Sequence, residues 1–203
     1  MGFSAVFLLL FLFATFLVLT HRTVGPDRAI AGLFVGLSRS VYFFFGLLCR
    51  TGNVEIEGPI FLLLSVGVWR KSPSVRPALL FIGTVFVLGT ALEHLLKTHL
   101  PAYAPLEAYR HDPFPGWSVF FPLHLHIVAS FPSGHTFRAL LILLWVSLFA
   151  PAFRGPVLLW AAGIMAGVII LGWHWSSDVL GSLALAGIVW PWGRLLSGQI
   201  KKT

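Results

Sequence analysis

Charge is scarce in this chain. Of its 203 residues, 7 are acidic and 14 are Lys or Arg, so only 10% are charged. So little charge cannot solvate the surface of a globule, and a mean hydropathy of +0.88 excludes an ordinary water-soluble domain. Cysteine is almost missing: Cys49 stands alone, which rules out an internal disulfide and a cysteine-built metal centre. Repeats and low-complexity segments are absent. The apolar runs approach twenty residues, the length of membrane-spanning helices and not of β-barrel strands. The net charge of +7 comes from scattered basic residues, so nucleic acid is a poor partner for it. In a membrane protein such an excess first records where Lys and Arg sit in loops.

What is present reads as an all-α integral membrane protein, one domain over residues 1–203. A catalytic core occupies about 78–190, with N-terminal helices over 1–77. Phe3–Leu19 is a first span; with no charged segment before it and no small-residue cleavage site, it reads as uncleaved rather than as a signal peptide. A polar break covers His21–Arg28. Ala29–Cys49 is apolar but carries Arg39 at its middle, costly at mid-bilayer, so it is expected along the interface or packed inside the bundle. Further spans are expected at Val54–Trp69, Ala78–Leu96, His135–Phe149, Val157–Gly172 and Val179–Trp190. These make six transmembrane helices with one additional interfacial or intramembrane helix. Arg70, Lys71, Arg76, Arg154, Arg194, Lys201 and Lys202 then share one side, which the positive-inside rule makes cytoplasmic. Lys97, the long loop to Ser130, His135, His174 and Asp178 fall on the extracytoplasmic side, whether or not Ala29–Cys49 spans.

Two motifs carry chemistry. His174 and Asp178 are four apart, a spacing that puts them on one face of a helical turn. An interfacial histidine beside a helix-start aspartate is the plain reading. The functional one is an imidazole oriented by a carboxylate and made nucleophilic. Pro132-Ser133-Gly134-His135 places a histidine where a helix can start. His135 is either a turn residue or a general acid. Ser133 and the N–H groups of Gly134 and His135 would donate to a phosphate. Lys97 ends a span, where it either snorkels or neutralises phosphate charge. Two histidines, a carboxylate and an anion cradle suit phosphoryl transfer through a covalent histidine intermediate.

Phe131–Phe137 and Leu171–Gly181 resemble the second and third signature motifs of the type 2 phosphatidic acid phosphatase (PAP2) superfamily, and Lys97 stands where its first motif, KxxxxxxRP, begins. The resemblance covers roughly Ala78–Trp190. It implies a six-helix membrane fold without a metal or other cofactor, His174 as nucleophile, Asp178 as its partner and His135 as acid. It also implies a lipid phosphate as substrate and a bacterial-type inner or plasma membrane as location. Two positions depart from the pattern. Ala104 replaces the first motif's arginine, and Gly167-Val168 replaces the Ser-Arg that opens the third. Both arginines that would grip phosphate are missing. Arg138, one turn past His135, is the best substitute, unless it forms an ion pair with Glu93; Arg110 and His99 are weaker candidates.

His124 and His126 alternate as a metal pair would, but no third ligand is near in sequence. The loop aromatics Trp117, Phe120 and Phe121 suit an interfacial belt or lid. The expectation is a lipid phosphate phosphatase. A phosphotransferase that uses an alcohol in place of water is the alternative, and a catalytically silent lipid-binding protein the third reading.

Overall fold

The computed structural model describes residues 2–100, 102–114 and 129–198. His124, His126, Trp117, Phe120, Phe121, Lys201 and Lys202 lie outside the described residues. Every regular element among the described residues is helical: α1 (Gly2–Leu19), α2 (Val24–Gly32), α3 (Arg39–Arg50), α4 (Val54–Lys71), α5 (Arg76–His99), α6 (Gly134–Phe149), α7 (Arg154–Ile170) and α8 (Ser176–Leu196).

The four helices α1, α5, α7 and α8 are long and apolar enough to cross a bilayer, the α5 and α7 segments counted with the short 3-10 turns that precede them. The chain is a multi-pass integral membrane protein. α6 is apolar but has 16 residues. α4 has 18 but carries Glu55, Glu57, Arg70 and Lys71.

Ala29–Cys49 is not one helix. α2 starts earlier, inside the polar break, and stops at Gly32; the chain turns through Gly36 at a φ of +85° and restarts at Arg39. At about 1.5 Å per residue neither piece can cross a bilayer. The cost of a mid-bilayer arginine is avoided by making Arg39 the first residue of α3.

α6 is the central helix. Its apolar residues are buried nearly all round, among them Leu141, Leu144 and Trp145, against Phe61 of α4, Ile82 and Phe86 of α5 and Val189 of α8. A helix apolar on every side belongs in the middle of a bundle. On another flank α3 packs on α7, where Cys49 joins Ala161, Ile164 and Val168. α1 lies along α8, with the Ser4 hydroxyl donating to the Ile188 carbonyl at 3.1 Å. The connections bring the C-terminal end of α5, the N-terminal end of α6 and the α7–α8 turn to one end of the bundle. Arg154 and Arg194 line a small cavity at the opposite end.

Candidate active site

The α7–α8 turn holds the first histidine. Gly172 has a φ of +64° and its α-carbon faces the Tyr109 carbonyl so closely that a side chain would overlap it. Only glycine suits that position. The amides of Trp173 and His174 both donate to the Val168 carbonyl, at 2.9 and 3.0 Å, which folds the turn back on α7. The His111 amide donates to the Leu171 carbonyl at 3.0 Å and seats the long loop on the same turn.

His174 therefore precedes α8 rather than lying on it, a correction to the helical-face reading. α8 starts at Ser176, and Asp178 is in its first turn. The pair still meets: His174 Nδ1 lies 3.3 Å from Asp178 Oδ2, and that oxygen also accepts from the Trp175 amide at 2.8 Å. The carboxylate thus caps its own helix and orients the ring with one atom. Both side chains are buried. Burial is the main cause holding the His174 imidazole below its usual pKa, and the Lys97 charge adds to it; Asp178 pulls the other way. The ring is thereby held neutral, the state in which imidazole has a lone pair to attack with.

His135 is in the first turn of α6, its ring centroid 6.2 Å from that of His174. Its Nε2 lies 2.9 Å from Asn53 Oδ1 at the start of α4. Ser133 caps α6, its hydroxyl accepting from the Thr136 amide at 3.4 Å. The Ser133 carbonyl and the Asp178 carbonyl both accept from the Ser182 hydroxyl, at 2.8 and 2.9 Å. That side chain, with the Ser133 amide donating to the Asp178 carbonyl at 3.3 Å, ties the N-termini of α6 and α8 together, beside the two histidines.

Lys97 belongs to the last turn of α5 and not to the loop. It is buried instead of snorkelling, with its ammonium 2.6 Å from Glu93 Oε1. Arg138 is buried too. Its Nε donates to Glu57 Oε2 at 3.1 Å and its Nη1 to Glu93 Oε2 at 2.9 Å. The guanidinium is therefore in an ion network with Glu57 as well as Glu93. Gly134 packs directly against the Glu93 carboxylate. Arg110 pairs with Glu107 at 4.0 Å, and His99 bonds locally within α5, so neither is brought to this cluster. Among the described residues no three metal-ligating side chains gather.

Sequence reasoning missed four residues here: Asn53, Glu57, Glu93 as a partner of Lys97, and Asp27. Asp27 of α2 is buried and accepts from the Ser176 hydroxyl at 2.6 Å, the Ser177 amide at 2.9 Å and the Ser177 hydroxyl at 2.7 Å. It also accepts from the Tyr103 hydroxyl at 2.5 Å. It caps α8 from outside, two residues from His174 at its nearest bond. Burial first, and then this bond to Asp27, pushes the Tyr103 phenol above its usual pKa, so it remains a donor. The available signal was scarcity: with only 7 acidic residues, a carboxylate in or beside an apolar segment warrants a role.

A search of curated proteins finds no match. Among solved structures, the fold is similar to that of a transmembrane PAP2 type phosphatidylglycerolphosphate phosphatase from Bacillus subtilis. The TM-score is 0.76 at 19% identity, over 100% of this chain and 99% of that one. The sequence pattern of the PAP2 superfamily matches residues 75–200, which include α5 to α8 and with them Lys97, His135, Arg138, His174 and Asp178. With more than half of its length so matched, the chain belongs to the PAP2 superfamily.

Proposed function

We propose that the chain hydrolyses a phosphoester of a membrane lipid through a phosphohistidine, on the extracytoplasmic face. The observation that carries this reading is the 3.3 Å pairing of His174 with Asp178, beside His135 and the first turn of α6. Asp178 holds Nδ1, so Nε2 of His174 is the attacking atom. It forms a bond to phosphorus as the bond from phosphorus to the lipid oxygen breaks. His135 gives its proton to the departing alkoxide. Water then attacks the phosphohistidine, His135 takes a proton from it, and inorganic phosphate leaves as Nε2 is restored. Lys97, Arg138, Ser133 and the backbone of Gly134 stand on the phosphate side.

A lipid substrate is supported by the solved relative, itself described as a phosphatidylglycerolphosphate phosphatase. It is supported also by an apolar groove of about 490 Å³ between α4 and α5. That groove runs from Phe61 and Leu88, about one turn beyond Glu57 and Glu93, to Trp69 and Leu79 at the far end of the two helices. The test is release of inorganic phosphate from lipid monoesters by the purified protein, with acid-labile labelling trapped from a radiolabelled substrate. His174→Ala should lose both label and turnover while still folding. Normal turnover in that variant refutes the mechanism. Turnover that needs an added lipid alcohol, without phosphate release, would identify the transferase.

A further inference from the structure

Three of the four groups assigned to phosphate touch one side chain. Glu93 Oε1 accepts from Lys97 at 2.6 Å and Oε2 from Arg138 at 2.9 Å. Both oxygens press on Gly134, the first residue of α6, where any β-carbon would overlap them. The carboxylate thus lies where two cations and a helix N-terminus converge, the arrangement that holds an oxyanion. Glu57 grips the same guanidinium through Nε at 3.1 Å, from α4. Arg138 therefore keeps Glu57 and, through Nη2, the Gly52 carbonyl at 3.5 Å when Glu93 moves, which leaves Nη1 for the incoming anion.

We propose that Glu93 is a specificity-determining residue: its carboxylate occupies the phosphate position and is displaced there by the terminal phosphate of a lipid monoester. The inference rests on the reading of this cluster as a phosphate site. Two anions cannot share Lys97, Gly134 and Arg138, so binding is an exchange of one for the other. Glu93 is on a helix and reaches its partners through rotatable bonds, so it can swing away without moving α5. The exchange selects by charge. A monoester presents three terminal oxygens and close to two charges, enough to replace the carboxylate on both cations. A diester has two free oxygens and one charge, and merely matches what it must displace. Glu93 thereby discriminates against diesters, including the many intact phospholipids surrounding the protein.

The experiment uses the full chain in detergent, with inorganic phosphate and orthovanadate as probes. Glu93→Gln keeps the size and removes the charge. It should strengthen inhibition by inorganic phosphate about ten-fold, the scale of one charge-assisted contact, lower KM for a lipid monoester, and narrow the preference for monoester over diester. Unchanged or weaker inhibition by phosphate overturns the proposal and leaves Glu93 a holder of Lys97. If the variant does not fold, infrared difference spectra of the unaltered protein decide: orthovanadate should shift a carboxylate stretch as Glu93 leaves its cations, and a spectrum without that shift refutes displacement. Isothermal titration of inorganic phosphate into His174→Gln separates the two readings. Tighter binding when Glu93→Gln is added, with no phosphohistidine ever trapped in active protein, keeps Glu93 in its role and discards the covalent mechanism.

Discussion

Asp27 offers the sharpest test of how the fold positions His174. The carboxylate is 1% exposed and accepts four hydrogen bonds, from Tyr103, Ser176 and twice from Ser177. Two opposing effects decide what its removal does. Desolvating a carboxylate is costly, so deleting it returns energy. Against that stand hydrogen bonds to a charged acceptor, roughly 1.5–3 kcal/mol each and not additive. A further contribution of about 0.3–2 kcal/mol comes from negative charge at the N-terminus of α8. The three hydroxyls can recover partly; Tyr103 already has Thr23 at 2.7 Å. The Ser177 amide cannot, because it is buried with its only acceptor gone. The losses win.

Asp27→Ala should therefore cost about 3 kcal/mol, or roughly 6–12 °C in Tm for a chain of this size. Asp27→Asn keeps one acceptor oxygen for the amide and should cost about 1 kcal/mol. The functional effect is larger than the stability effect, because Ser176 and Ser177 follow His174 in the same turn. A shift of about 1 Å in the attacking nitrogen is worth on the order of a hundred-fold in rate. Phosphate release at saturating substrate should fall by about that factor in the alanine variant, with KM little changed. Thermal unfolding in detergent and kcat are the two readings. A lowered Tm with an unaltered kcat would reduce Asp27 to a structural cap; no change in either would refute the reasoning entirely.

Single cysteines at Leu106 and Ser74, in a Cys49→Ala background, should label oppositely with an impermeant reagent: Leu106 from outside intact cells, Ser74 after the membrane is opened. The reverse pattern would put the site on the cytoplasmic side. Burial and the Lys97 charge both hold the His174 pKa down, so the neutral ring persists to lower pH than an ordinary imidazole. Lys97→Met removes one of those causes and should move the acid limb of the kcat/KM profile to higher pH; an unmoved limb would dissociate Lys97 from His174. Arg138→Ala strands Glu57, while Glu93 keeps Lys97, and should destabilise by about 3–5 kcal/mol while raising KM roughly ten-fold. Arg138→Lys should recover part of each, since an ammonium cannot fork two carboxylates. Full activity in the alanine variant would exclude Arg138 from the phosphate side.

The long helices were legible because their apolar runs are long and their ends are marked by Arg70-Lys71, Ser133-Gly134 and Arg154. Ala29–Cys49 was not. Arg39 interrupts its apolar run, but the break at Gly36 depends on a turn that one glycine among 20 does not announce. Local spacing found His174 with Asp178, although for a reason the structure revises: the turn folds back on the Val168 carbonyl and delivers the ring to the carboxylate without a helix. Partners far apart in sequence stayed hidden. Asn53 meets His135 across 82 residues and Asp27 meets Ser177 across 150. No periodicity encodes such pairs. They exist because buried carboxylates and ring nitrogens must find partners, and the bundle brings these ones within reach.

The missing motif arginines have a physical counterpart in the packing. At Gly167 and Val168, α7 is pressed against α3. A β-carbon on Gly167 would overlap the Cys49 sulfur, and Val168 is fully buried in the apolar cluster around Cys49. A guanidinium there would have no room and no counter-ion within that cluster. The arginine in this cluster comes instead from α6. Arg138 is four residues beyond Gly134, so one helical turn places its charge below the start of that helix. Its carboxylate partners come from α4 and α5, and its third bond goes to the Gly52 carbonyl between α3 and α4, at 3.5 Å. Moving the charge in this way has a consequence. A buried guanidinium in an apolar bundle must be paired, and the carboxylates that pair it add negative charge beside a site meant for an anion. Lys97 and Arg138 bring two positive charges, and the Glu57 and Glu93 carboxyl groups pair with them. In the proposed exchange phosphate enters only when one carboxylate withdraws, and Glu93, which presses on Gly134, is the one whose withdrawal opens the helix N-terminus.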